Sequence, residues 1–165
     1  DEGLLAGLLD TAVDLGAAPG GWTQVLVERL GDGKVVGVDI QEMEPIAGAT
    51  LLHLDFMDEK APAIIKHALN GPVDTVLSDM ASPATGHRET DHLRVMALCE
   101  AALEFAIEVL KPGGAFVCKV LRGGTERTLL ETLKRRFTKV IHVKPPASRA
   151  DSAEMYVLAM GFRSQ

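Results

Sequence analysis

The sequence predicts an α/β fold: a mostly parallel seven-stranded sheet with helices on both faces and an antiparallel hairpin at its C-terminal end. Two observations predict it. Short apolar segments of strand length alternate with segments whose apolar residues recur at helical spacing. That alternation calls for parallel strands joined by helical crossovers, with both faces of the sheet covered. The last two strands have only residues 145–152 between them, too few for a helical crossover, so they should pair antiparallel. At 165 residues the chain is long enough for one domain with a substantial core, and we read 1–165 as that domain.

Strands are expected at 11–16, 34–39, 50–54, 73–79, 114–121, 138–144 and 153–160, and helices at 21–30, 59–69, 90–110 and 125–137. The first strand has Ala12, Val13 and Leu15 around Asp14. The first helix is apolar at helical spacing and stops at Gly31-Asp32-Gly33. Lys34-Val35-Val36-Gly37-Val38-Asp39 reads as a strand ending in an acid. Asn70-Gly71-Pro72 stops the second helix, and Lys111-Pro112-Gly113-Gly114 stops the third, because proline cannot continue it. On the third helix, Leu93, Met96, Ala97, Ala101, Phe105 and Val109 form one apolar face, expected in the core.

Composition narrows the class. Hydrophobic residues make up 47% and charged ones 24%, a globular balance, and no apolar run is long enough to span a bilayer. No basic-then-apolar leader opens the chain. Cys99 and Cys118 fall in a helix and a strand, as buried thiols of a reducing compartment do, and no zinc spacing is present. The net charge of −6 weighs against a nucleic-acid partner, but its distribution matters more. Lys134, Arg135, Arg136, Lys139, Lys144 and Arg149 crowd the last third. They form either a phosphate-contacting surface or a solvated helix end and strand edge.

The informative stretch is residues 13–22, V-D-L-G-A-A-P-G-G-W, a strand, a glycine-rich turn and a helix start. Glycine lets backbone approach a ligand, and a helix N-terminus offers unpaired N–H groups. The spacing G-x-x-x-G-G fits neither the dinucleotide fingerprint nor the phosphate loop. Asp39 lies 23 residues after Gly16, where a carboxylate meets a ribose diol in a parallel sheet. A nucleoside without a pyrophosphate fits, and S-adenosylmethionine is such a ligand. The alternative is an ordinary turn with Asp39 as a loop acid. Ligands of open α/β sheets bind outside the carboxyl ends of the strands. Asp55, Asp79 and Lys119 fall at or near such ends, and Glu154 begins the last strand. Asp55 can accept from an adenine amine while Phe56 packs on the base, or Phe56 is simply core. Trp22 walls the ligand or packs the helix, and Asp14 holds the glycine turn through backbone hydrogen bonds. A lysine within so apolar a strand should have a partner. Asp79, Lys119 and Glu154 converge on one rim as a catalytic set, or stand there as structural ion pairs.

Together these residues resemble the FtsJ/RrmJ family of ribosomal RNA 2′-O-ribose methyltransferases, from Val13 to Arg163. D-L-G-A-A-P-G-G-W (14–22), S-D-M-A (78–81), P-G-G-x-F-V-x-K-V (112–120), F-T-K-V (137–140) and K-P-x-x-S-R-x-x-S-x-E-x-Y (144–156) carry the resemblance. It implies a Rossmann-like S-adenosylmethionine-dependent methyltransferase fold. It also implies methylation of a uridine ribose in large-subunit ribosomal RNA during ribosome maturation, in the cytoplasm, by a monomer needing no metal and no membrane. Asp79, Lys119 and Glu154 match the last three members of the family's Lys-Asp-Lys-Glu tetrad. Gly20, Trp22, Asp39, Asp55 and Asp79 match positions that contact the cofactor, joined from the residue reading by Gly16 and Phe56. Lys119 is expected to act as a neutral base or as a cation stabilising an alkoxide. Two departures stand out: Ser82-Pro83 replaces the family's Pro-Asn, and residues 1–12 contain no lysine or arginine where the first tetrad lysine belongs. We therefore expect a basic N-terminal segment to be missing. The rival readings are a same-fold methyltransferase acting on another RNA or a small molecule, and a non-catalytic RNA- or ribosome-binding adaptor.

Overall fold

A computed structural model describes residues 10–80, 85–121, 127–144 and 154–164, apart from the side chains of residues 121 and 154. Its strands are β1 (Thr11–Leu15), β2 (Lys34–Asp39), β3 (Ala49–His53), β4 (Val73–Ser78), β5 (Leu110–Leu121), β6 (Phe137–Val143) and β7 (Glu154–Phe162). The helices are α1 (Gly21–Leu30), α2 (Ala61–Leu69), α3 (Arg88–Val109) and α4 (Arg127–Arg136). The strands form one seven-stranded sheet in the order β3-β2-β1-β4-β5-β7-β6. Pairing is parallel from β3 to β5, while β7 runs antiparallel to both β5 and β6. The C-terminal hairpin forms as expected, and β7 inserts between β5 and β6.

Alternation along the strands separates the two faces. Val13, Leu15, Val36, Val38, Val76, Phe116 and Cys118 face the core shared with α2 and α3. Ala12, Val35 and Leu77 point the other way and pack under Leu26 and Leu30 of α1. Asp14 shares the face of Ala12, so its carboxylate lies beneath α1.

Helix ends follow local chemistry. Pro62 stands in the first turn of α2, where its missing N–H costs nothing, and Asn70 closes the helix in the left-handed conformation. His87 caps α3, its Nδ1 accepting from the Thr90 N–H at 3.3 Å. Lys134, Arg135 and Arg136 fill the last turn of α4 and oppose its dipole.

Two expectations shift. The apolar face of α3 is turned from the expected one: Leu93 is 67% exposed and Ala97 is exposed, while Met96, Cys99, Leu103 and Ala106 are buried. The next strand begins at Leu110, four residues early. Leu110 pairs with Val73 before a register shift leads to Thr75 opposite Ala115. The chain leaves the ladder there through Gly113, at φ +86°.

Candidate active site

Parallel pairing brings the carboxyl ends of β1 to β5 to one rim. There the segments after β1, β2, β3 and β4 surround a cavity of about 250 Å³. Gly16, Asp39, Asp55, Phe56 and Asp79 line it, as do Ile40, Gln41, Met57, Met80 and Leu98, which the sequence did not single out. Gly20 and Trp22 are not in this lining. Strand ends and the residues just after them are legible in a sequence, but Leu98 comes from the middle of a helix and carries no such signal.

Backbone contacts fix the glycine turn. The Gly16 and Ala17 N–H groups donate to the Val38 carbonyl at 2.8 and 3.0 Å, and the Asp79 N–H donates to the Leu15 carbonyl at 2.8 Å. Gly16 has φ +80°, and a Cβ there would lie 2.7 Å from the Met80 nitrogen. Only glycine fits so close to the backbone at the end of β4. Asp39 does the holding that was expected of Asp14. Its Oδ2 accepts the Ala18 N–H and its Oδ1 the Gln41 N–H, both at 2.8 Å. Each carboxylate oxygen keeps a second lone pair for a ligand hydroxyl.

Asp14 acts from below and through a side chain. The buried Thr23 hydroxyl donates to Asp14 Oδ2 at 2.7 Å, and Oδ1 is buried with no hydrogen bond among the described residues. Burial pushes this carboxyl up to about 7; the Thr23 hydrogen bond works against that, and Asp79 and Asp39 add to it.

Asp55 accepts the Met57 N–H at 2.9 Å, a short turn that leaves the carboxylate on the cavity wall. Phe56 is only 8% exposed and meets Phe105 edge to face at 5.6 Å between ring centres. Its ring therefore belongs to the core and also walls the cavity. Among the described residues the lining has three acids and no Lys or Arg, which repels a pyrophosphate and suits a neutral or cationic nucleoside.

Two of the catalytic candidates, Lys119 and Asp79, meet at the edge of this cavity. Lys119 Nζ lies 3.2 Å from Asp79 Oδ1, with the lysine side chain 15% exposed. The partner that an apolar strand demands of a lysine is thus present. The Tyr156 hydroxyl, which sequence reasoning missed as a functional group, donates to the same Oδ1 at 3.0 Å. Tyr156 stands opposite Lys119 in the β5–β7 ladder, and Trp22 packs edge-on against its ring at 6.3 Å. The Glu154 backbone pairs with Leu121 at the same rim; its side chain, like Ser82-Pro83, Arg149 and residues 1–9, lies outside the described residues. Behind Lys119, the buried Cys99 and Cys118 thiols both donate to its carbonyl oxygen, at 3.2 and 3.5 Å. Among the described residues no helix is long and apolar enough to cross a membrane, and no group of three or more His, Cys, Asp or Glu is arranged to hold a metal.

Comparison with known proteins bears on the family and the fold. Two curated relatives are each named ribosomal RNA large subunit methyltransferase E. One, from Paramagnetospirillum magneticum, is 62% identical over 92% of this chain and 64% of its own length. The other, from Rhodospirillum rubrum, is 63% identical over 92% of this chain and 59% of its own length. The chain thus spans about three-fifths of the length of these relatives. A crystal structure from Plasmodium falciparum, described as a ribosomal RNA methyltransferase, superposes with a TM-score of 0.83 at 26% identity, covering 98% of this chain and 91% of that one. The N-methyltransferase NodS from Bradyrhizobium japonicum, at 14% identity and a TM-score of 0.62 over 95% of this chain and 88% of its own, shares the fold alone. Residues 3–162 match the model of the FtsJ-like methyltransferase family. With that match covering nearly the whole chain, the chain belongs to the FtsJ-like methyltransferase family.

Proposed function

We propose that this chain transfers the methyl group of S-adenosylmethionine to the 2′-hydroxyl of a uridine ribose in large-subunit ribosomal RNA. One observation carries the reading: an acid-lined nucleoside cavity shares Asp79 with a partly buried Lys119, 3.2 Å away. Relatives more than 60% identical that are named for ribosomal RNA of the large subunit support the choice of substrate. The same substrate would bring the chain to the cytoplasm, where bacterial subunits mature.

The residues fit the cofactor. Asp39 would take the ribose hydroxyls and Asp55 the adenine amine, with Gly16 giving the backbone clearance and Phe56, Met57 and Leu98 the apolar walls. When bound, S-adenosylmethionine supplies a methyl group activated by its sulfonium. The acids around the cavity favour that positive charge. Lys119 Nζ lies against the Asp79 carboxylate, and a lysine ammonium is a hydrogen-bond donor. Placed beside a ribose oxygen, that ammonium would stabilise the negative charge that develops there as the hydroxyl gives up its proton to solvent. Positioning provides much of the remaining rate. Gly20 and Trp22 would act on the cofactor from outside the cavity lining, and Glu154 would orient Lys119 and the ribose from the start of β7.

The test offers tritiated cofactor to large subunits, naked ribosomal RNA, bulk protein and small-molecule acceptors, followed by alkaline hydrolysis of the RNA. A 2′-O-methyl group protects its phosphodiester, so label should appear in an alkali-resistant dinucleotide from large-subunit RNA. Label confined to protein or small molecules would overturn the substrate, and label in alkali-sensitive RNA would overturn the 2′-oxygen as acceptor.

A further inference from the structure

We propose that Tyr156 is a positioning residue for the transfer step, acting through Asp79. The proposal rests on the methyltransfer reading above and adds a residue to it. Both the Lys119 ammonium and the Tyr156 hydroxyl engage one oxygen, Asp79 Oδ1, at 3.2 and 3.0 Å. Among the described residues Asp79 Oδ2 takes no hydrogen bond, and Asp79 lines the cavity. Two donors on one oxygen fix the rotation of the carboxylate and leave its other oxygen to the ligand side.

The geometry makes Tyr156 suited to this. A lone carboxylate–ammonium pair is loosely oriented, because an ammonium is a compact charge that can swing around either oxygen. A phenol on a rigid ring is directional. Here the ring is anchored on both sides: its backbone stands between Lys119 of β5 and Val143 of β6. The Trp22 edge adds a third contact. Trp22 stands in the first turn of α1, just after the glycine turn. A continuous chain of contacts therefore runs from the cofactor turn through Trp22 and Tyr156 to Asp79 and Lys119. Tyr156 would set where the Lys119 ammonium points without itself touching the reacting atoms.

The chain contains one tyrosine, so its phenol can be observed without ambiguity. Ultraviolet resonance Raman spectra of the parent protein should show the tyrosine band of a strong hydrogen-bond donor, and Asp79→Ala should shift that band. An unmoved band would overturn the contact, whatever the protein's activity. In methyl transfer to large subunits, Tyr156→Phe keeps the ring and removes the donor. It should lower kcat about tenfold, as loss of a hydrogen bond to a charged group does. KM and cofactor affinity should stay within about twofold, because the bond matters for the transition state more than for binding. In an Asp79→Asn background the same substitution should cost nothing further, since the residue through which it acts is already altered. Unchanged kcat in Tyr156→Phe would overturn the proposal. So would a loss seen only in KM or cofactor affinity, or an equal loss in both backgrounds. If the parent protein transferred no methyl group at all, the function proposed above would fall and the Raman comparison would still decide the contact.

Discussion

Burial of Asp14 has a large electrostatic consequence. It is fully buried, bonded on one oxygen to Thr23 and, among the described residues, without a hydrogen bond on the other. Folding lifts its carboxyl from 3.8 to about 7, so between those values the folded chain keeps a proton that the unfolded chain has lost. The stability contributed by the neutral acid is complete below about pH 4 and is lost as pH rises through about 7. That lift corresponds to at most roughly 4 kcal/mol. Asp14→Asn is neutral throughout, so its stability relative to the parent should rise between pH 5 and pH 8 in urea unfolding. A constant difference between the two pH values would show that Asp14 is not protonated by burial. The sequence revealed Asp14 as an acid inside an apolar strand, but not which way it faced. That depended on α1 lying over the side that also carries Ala12 and Val35. For Asp39, Asp55, Asp79 and Lys119, strand ends in a parallel sheet were enough to place them at one rim. Tyr156 escaped notice because its value comes from the neighbour β7 acquires, which local pattern does not state.

At the scale of elements, the turn between β1 and α1 is held by its surroundings more than by its own residues. Val38, Asp39 and the start of the loop after β4 supply its hydrogen bonds and its wall. Gly16→Ala should therefore be damaging. The new Cβ would meet backbone at 2.7–2.8 Å, which cannot swing aside as a flexible side chain would. The left-handed backbone alone costs roughly 1–2 kcal/mol, and relieving that strain by moving the turn should weaken cofactor binding by about tenfold. Calorimetry of a folded Gly16→Ala protein with parental affinity would contradict this account of the turn. The order of the last two strands was also written in the chain. β7 reads Met155-Tyr156-Val157-Leu158-Ala159-Met160, nearly continuous apolar residues for a strand covered on both sides. β6 intersperses Thr138, Lys139 and His142, which are exposed, as an edge strand does. The hairpin was legible from loop length, and this contrast would have told which arm lies inside. The turned face of α3 was less accessible, because Leu93 is as apolar as its buried neighbours and only packing decides between them.

For the whole molecule, topology sorts charge by position. β6 starts at the end of the sheet opposite the rim, so Lys134, Arg135, Arg136 and Lys139 sit at that far end, while Lys144 follows β6 at the rim. The described members of the basic cluster visible in the sequence therefore fall at opposite ends of the sheet. The rim gathers segments far apart in the chain, Gly16, Asp39, Asp55, Asp79, Lys119 and Tyr156, around one cavity edge. The central claim is that Lys119 at this rim serves methyl transfer and not cofactor binding. Its most direct test is single-turnover transfer to large subunits, with cofactor titration alongside, for the parent and Lys119→Ala. The account predicts a rate lower by roughly 100-fold or more, with cofactor affinity changed no more than a few-fold. A parental rate in Lys119→Ala, or a loss traced wholly to cofactor affinity, would contradict it.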